Sequence, residues 1–229
     1  MTKEALRKTF LDTLPVLTGY LFLGCGFGIL LSQNGYGLGW ALAMSLFIYA
    51  GSGQYLAVEL LAGGAGLITT AIATLLVNAR HLFYGISLLD TYQDIGKAKP
   101  YLIFALTDET YSLVTQAQPP EGVSRKKYCL LVSFLHQCYW VAGCCLGALI
   151  GTYVPVSFEG VSFVLTALFV TLFVEQWLSH KAHFPAIVGV VSSLLCLLIF
   201  GKDIFLIPSM VLMALLLTLN PKAKRRNAA

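Results

Sequence analysis

Apolar residues fall along this chain in blocks about as long as a bilayer-crossing helix, roughly 20 residues, and polar side chains collect in the gaps between them. The blocks cover residues 14–32, 38–61, 67–89, 128–154, 161–178, 184–200 and 204–219. They lack polar–apolar alternation and exceed the roughly 10 residues of a barrel strand, so each predicts an α-helix. Residues 101–117 form a weaker block, because Asp108 and Glu109 sit together within it. If that block crosses, the fold is an all-α polytopic membrane helix bundle of eight transmembrane helices; if it does not, the count is seven.

Charge placement favours eight. Lys3, Arg7, Lys8, Arg125, Lys126, Lys127, Lys181, Lys222, Lys224, Arg225 and Arg226, most of the fifteen Lys and Arg, then share one side, leaving Lys97, Lys99 and Lys202 on the other. Positive loops stay cytoplasmic, so both termini, 1–13 and 220–229, are expected there. Seven crossings would carry the basic tail outside. Composition agrees: 57% of the 229 residues are hydrophobic and 11% charged, with a mean hydropathy of +0.77. A soluble surface normally carries about 25% charged residues. Residues 1–229 are read as one membrane-embedded domain whose first helix is retained, since no small-x-small cleavage site follows residues 14–32. The net charge of +4 suits loops beside anionic lipid and says nothing of nucleic acid. The six cysteines lack paired C-x-x-C spacing and read as packing residues, with no metal site or cofactor implied.

Within this apolar frame, polar residues stand out. Asn78, Arg80 and His81 lie inside the third block. An isolated charge at the bilayer centre costs roughly 3 kcal/mol or more, so such groups face a partner, the bundle interior or a wet cavity. Gly51, Ser52, Gly53 and Gln54 interrupt the second block. Transporter helices break near the midplane so that freed backbone groups can hold substrate, and Ser52, Tyr55 and Glu59 share one face if helix resumes there. The alternative is that these glycines only let helices pack closely. That structural reading is preferred for Gly24 and Gly28, and for Gly143, Gly147 and Gly151, which repeat at G-x-x-x-G spacing. Ser133, His136, Gln137 and Trp140 lie on a related face of the fifth block, suited to bonds across helices. A weak internal repeat places Gln54 over Gln176, which brings in Glu175 beside it.

Three blocks in order, Phe47 to Gln54, Leu76 to Gly85 with its Asn-x-Arg-His-x-x-Tyr-Gly, and Leu106-Thr107-Asp108-Glu109, resemble the AzlC-type large subunit of the branched-chain amino acid exporter (LIV-E) family. Similarity continues through Trp140 to Gly147 and Gly160 to Phe169. The family commonly has Gly-Ser-Ser-Gln where this chain has Gly51-Ser52-Gly53-Gln54. The resemblance implies a two-component carrier in the bacterial cytoplasmic (inner) membrane. A small hydrophobic AzlD-type membrane subunit would be the partner, and valine, leucine, isoleucine and sometimes methionine the exported substrates. Higher oligomers are open.

Such a zwitterion needs donors for its carboxylate, an acceptor for its ammonium and an apolar pocket, because an unpaired charge in low dielectric is expensive. Backbone amides at Gly51, Ser52, Gly53 and Gln54, with Arg80, suit the carboxylate; Asp108 or Glu109 suits the ammonium; Asn78 belongs to the same set. Arg80 pairing with Asp108 or Glu109 is an equal alternative. For coupling to the proton gradient the candidates are His81, Asp108, Glu109 and Glu175. A neutral His81 bonded to Asn78 would instead be a structural lock. Two other classes stay open, a passive channel-like facilitator for small zwitterions and an intramembrane enzyme. Against the enzyme, no nucleophile motif, His-Glu-x-x-His or Walker sequence occurs.

Overall fold

The computed structural model describes residues 3–78, 80–88, 91–93, 95–116, 119–120, 122–154, 163, 166–167, 170, 173–174, 177–178, 183–201 and 205–219, apart from the side chains of 76, 80, 82, 83, 116, 206 and 207. The described residues are helices and their connections: α1 (Lys3–Gln33), α2 (Leu38–Phe47), α3 (Gly51–Ala62), α4 (Leu67–Asn78), α5 (Arg80–Ser87), a tight turn at Gly96–Ala98, α6 (Lys99–Phe104), α7 (Asp108–Gln116), α8 (Arg125–Tyr153), α9 (Phe184–Phe200) and α10 (Leu206–Thr218). They fall in two compact units, Met1–Thr166 and Ala167–Ala229.

The frame of the first unit is the pair α1 and α8, of 31 and 29 residues, each apolar and long enough to cross a membrane. Their contact is glycine on glycine. A Cβ on Gly24 would lie 2.8 Å from the Cys144 nitrogen, one on Gly143 would lie 2.7 Å from the Tyr20 carbonyl oxygen, and one on Gly151 would lie 2.9 Å from Ser32 Cβ. Gly28 and Gly147 leave still less room, against the main chains of Cys144 and Cys25 respectively. Small residues let helices approach where lipid offers no hydrophobic drive to association, so the expected packing role of both glycine stripes holds. Above the close contact, Thr13 and Tyr139 join the pair through a 3.0 Å hydroxyl bond. α1 begins well before residue 14, so its basic first turns continue the same helix.

Large apolar side chains lie on the outside. Leu67 is 90% exposed, Phe47 79% and Leu198 83%, a distribution that water would oppose and lipid accepts. The remaining helices are short. The second block is broken at residues 48–50, just before the glycines where the break was expected. The Ile48 and Tyr49 amides both donate to the Met44 carbonyl, at 3.0 and 3.1 Å, and Tyr49 turns into the left-handed region with φ 44°. Gly51 and Gly53 therefore open α3 and do not themselves make the kink.

Residues 101–117 are likewise not one continuous helix. α6 and α7 have 6 and 9 residues, or about 9 and 14 Å of helix, and part at residues 105–107. Most of the block 161–178, and with it the copy of the repeat centred on Gln176, lies outside the described residues. In the second unit α9 packs on α10, with Gly189 against Met213, and Trp177 stacks on His183 at 4.2 Å. All six cysteines are free thiols.

Candidate functional site

Polar side chains of the first unit converge on the face of α8 that continues its glycine stripe. His136 and Trp140 precede Gly143 and Gly147 at helical spacing, so the face that packs on α1 turns polar and aromatic one turn earlier. From α1, Tyr20 precedes Gly24 and Gly28 in the same way. Its ring meets His136 edge-on at 5.7 Å and Trp140 at 5.5 Å.

Trp140 ties α3 to this face. Its indole Nε1 donates to Gln54 Oε1 at 2.8 Å, and its ring covers Gly51, where an added Cβ would stand 3.3 Å away. Gly53 performs the same service for Asn78, whose amide nitrogen would be 3.3 Å from a Cβ there. The two glycines seat the first turn of α3 between an indole and an amide, which explains why small residues stand at both positions. The first amides of any helix lack intrahelical partners, and Gln54 is the first whose N–H turns back, to Ala50 at 2.7 Å.

Sequence places the acidic pair at the start of α7 for a local reason. Thr107 stands just before the helix and its hydroxyl accepts the Thr110 amide at 3.2 Å, a capping bond that leaves Asp108 and Glu109 in the first turn beside the positive end of the helix. Glu109 then reaches α1: Tyr20 donates to its Oε2 at 2.7 Å. Tyr20 also shares a 2.6 Å hydrogen bond with Thr107, Thr107 donates to Thr110 at 3.0 Å, and Thr110 bonds His136 Nδ1 at 2.8 Å. The Tyr49 hydroxyl points into the same cluster, near enough to Tyr20 and Glu109 to feel both. The result is a continuous polar seam from Gln54 through Trp140 and Tyr20 to Glu109 and His136, inside an apolar bundle.

Of the residues expected from sequence, Gly51, Gly53, Gln54, Asn78 and Glu109 are thus gathered around Trp140 and Tyr20, with Ser52 buried between them. Asp108 is half-buried next to Glu109. His81 lies apart: its Nδ1 donates to the backbone oxygen of Asn78 at 3.1 Å, and its ring meets Tyr84, which stacks on Tyr111 at 4.6 Å. Asn78 itself donates to the Thr74 carbonyl at 2.9 Å. The lock between residues 78 and 81 therefore runs through the main chain. The Arg80 side chain and Glu175 lie outside the described residues.

Among the buried side-chain polar atoms with no hydrogen-bond partner among the described residues are Gln54 Nε2, Asn78 Oδ1, Tyr49 Oη and His136 Nε2. Buried groups in folded proteins are nearly always satisfied, so a donor, an acceptor, a phenol and an imidazole nitrogen left open in one region mark where a polar ligand or water would bind. Sequence reasoning did not single out Tyr20, Tyr49, Thr107 or Thr110. The bonds of His136, and of Gln137 with the Tyr101 hydroxyl at 2.9 Å, bear out the expected contacts across helices.

Comparison with known proteins comes to the same region. The family description "AzlC protein" matches residues 15–154, which include the whole seam. The chain is 42% identical over 207 residues to "Branched-chain amino acid transport protein AzlC" of Bacillus subtilis, covering 90% of this chain and 82% of that one. It is 43% identical over 216 residues to an "Uncharacterized membrane protein" of Helicobacter pylori, covering 94% and 95%. It is 28% identical over 174 residues to "Inner membrane protein YgaZ" of Escherichia coli, covering 72% and 71%. No solved structure matches the chain.

Proposed function

Since the chain belongs to the AzlC family, a family of membrane proteins, we propose that it is the large subunit of a secondary-active transporter exporting branched-chain amino acids. The supporting observation is the buried seam from Gln54 to Glu109, with Gln54 Nε2 and Asn78 Oδ1 lacking a hydrogen-bond partner among the described residues. Polar groups of this kind are expensive in lipid and are retained where something polar passes. The carboxylate of valine, leucine or isoleucine, and sometimes methionine, binds at the first turn of α3, where amides and the Gln54 side chain are donors, with Arg80 as the countercharge. Its ammonium binds Glu109 or Asp108. Export is driven by the proton gradient through the titratable set Asp108, Glu109, His81 and Glu175.

A small AzlD-type subunit completes the carrier. The chain lies in the cytoplasmic membrane of a bacterium, multi-pass, with both termini inside where α6 and α7 together complete an eighth crossing. Its work is transport, with no covalent chemistry.

The test is efflux of labelled valine from vesicles holding the purified chain and its small subunit. Saturable efflux that accelerates against external unlabelled valine and falls when the proton gradient is collapsed is the expected result. Linear, unsaturable efflux would mean a channel, and none at all would end the proposal. In the same vesicles Glu109→Gln is expected to lower efflux about tenfold or more, the scale of losing one charged hydrogen-bonding partner. Equal efflux by folded Glu109→Gln and wild-type chains would remove Glu109 from the binding site.

A further inference from the structure

The bonds around Tyr20 form more than a brace between helices. From Glu109 Oε2 the path runs 2.7 Å to the Tyr20 hydroxyl, 2.6 Å to Thr107, 3.0 Å to Thr110 and 2.8 Å to His136 Nδ1. It joins a carboxylate on α7 to an imidazole on α8 through a phenol on α1, and every member is at least half-buried. We propose that Glu109 and His136 are the two ends of a proton relay that couples this transporter to the proton gradient. The proposal rests on the proton-coupled reading above but adds His136, Tyr20, Thr107 and Thr110, which sequence did not single out for proton movement.

The hydrogen count carries the argument. The path has four links, while its three hydroxyls supply three hydrogens. Thr107 spends its hydrogen on Thr110, so the short Tyr20–Thr107 link takes the hydrogen of Tyr20. Tyr20 then has none for Glu109, and the carboxyl must supply that one itself. With Glu109 ionised, Tyr20 donates to it, the Tyr20–Thr107 and Thr110–His136 links turn round, the Thr107 and Thr110 hydroxyls rotate so that the link between them follows, and the fourth hydrogen stands on His136 Nδ1. With that rotation, each arrangement carries one hydrogen in every link. They differ by the position of one proton.

Moving between them is balanced. The O–H bond of the Glu109 carboxyl breaks as one forms on Tyr20. The hydrogen of Tyr20 passes to Thr107, that of Thr107 to Thr110, and that of Thr110 to Nδ1. Each hydroxyl loses and gains one hydrogen, and the outcome is a carboxylate and an imidazolium. Nε2 is buried with no hydrogen-bond partner among the described residues, so the imidazolium passes on its Nε2 proton only when a water enters beside it during the transport cycle, the N–H bond breaking as an O–H bond forms on that water and neutral imidazole being left behind. A brace would have no use for that open nitrogen.

Few ionisable groups face the relay. Glu109 is faced by Asp108 beside it and by the hydroxyls of Tyr20 and Tyr49; His136 is faced by the rings of Tyr20 and Tyr139 and by Thr110. Asp108 is thus the ionisable neighbour among the described side chains. Because the path spans α1, α7 and α8, a shift of α7 during the transport cycle would open it at Tyr20 and Thr110 together.

Thr110→Val is the decisive variant, since it keeps the side-chain shape and removes the hydroxyl, and Thr110→Ser puts the hydroxyl back. In the purified full chain, infrared titration follows the protonated carboxyl band that Glu109→Gln removes, and ¹⁵N-histidine spectra follow the ring signals that His136→Gln removes. In wild type and Thr110→Ser the two signals are expected to change over the same pH range. In Thr110→Val they separate. If Thr110→Val leaves both titrations where they were, the relay is wrong, whether or not valine moves. In valine-loaded vesicles with a pH-sensitive dye, protons moved per valine are expected to fall about tenfold or more in Thr110→Val, a modest loss for removing a proton carrier. Valine movement with an unchanged proton ratio in that variant overturns the relay and leaves the transporter standing. Wild-type vesicles that move no valine, with the two titrations still linked, overturn the transporter and leave the relay standing. Should Thr110→Val not fold, Tyr20→Phe cuts the path two links nearer Glu109 and is read the same way.

Discussion

Gly147→Leu is expected to keep α1 and α8 from packing and to leave little folded protein after mild heating in detergent. A single Cβ at this position already overlaps the main chain of Cys25, and the facing Gly28 is pressed as closely on the main chain of Cys144 and Ala148. Side chains can rotate away from a clash, but two helix backbones cannot without separating. Overpacking a core costs about 1–3 kcal/mol when side chains can shift, so a leucine against backbone belongs at the top of that range or beyond it. The loss is compounded in lipid, where close packing and bonds across the interface, such as Thr13 with Tyr139, are what hold helices together. Separation would also withdraw Tyr20 from His136 and Trp140, so the polar seam fails with the fold. Gly39→Leu is the control, because nothing lies within 4 Å of a Cβ there. The midpoint of heat-induced loss of the monodisperse peak in size-exclusion chromatography reads both variants. A Gly147→Leu midpoint equal to that of Gly39→Leu would mean that α1 and α8 do not meet as described.

The same stripe shows what sequence could and could not tell. Two G-x-x-x-G series announce close helix contacts by spacing alone, yet nothing in one dimension says that they meet each other. Once paired, Gly24 with Gly143 and Gly28 with Cys144, the register sets Tyr20 one turn away opposite His136 and Trp140, and the seam follows. Tyr20 and Tyr49 escaped notice because a tyrosine in an apolar block reads as an aromatic packing residue. Thr107 and Thr110 were hidden for a different reason: Asp108 and Glu109 drew the eye as ionisable groups in lipid, whereas the same letters also mark a capped helix start. The helix break was legible but displaced. Glycine suggested a kink at Gly51 and Gly53, while the backbone turns at Tyr49 and uses the glycines to come close to Trp140 and Asn78. Charge-poor composition and block length fixed the all-helical membrane class. They could not show that residues 101–117 divide into two short helices, because a break at residues 105–107 needs no glycine or proline to announce it.

Trp140→Phe is expected to destabilise the chain by about 1–3 kcal/mol, the cost of leaving a buried carbonyl without its donor. The indole N–H is the partner of Gln54 Oε1, and Gln54 Nε2 has no other among the described residues, so the variant strands both ends of a fully buried amide. Adding Gln54→Leu removes the stranded group and should restore most of the loss, which makes the two substitutions strongly non-additive. Stability and function then part company. The open Nε2 stands beside the first turn of α3, where the carboxylate is proposed to bind, so the amide has a use in transport that leucine cannot supply. The double variant should therefore melt near wild type and yet move valine at least about tenfold more slowly, the effect of one lost hydrogen bond to a charged group. Denaturation and valine efflux measured on the same four chains, wild type, each single variant and the double, separate these roles. A double variant with both stability and efflux restored would assign Gln54 to packing alone and move the carboxylate site away from α3.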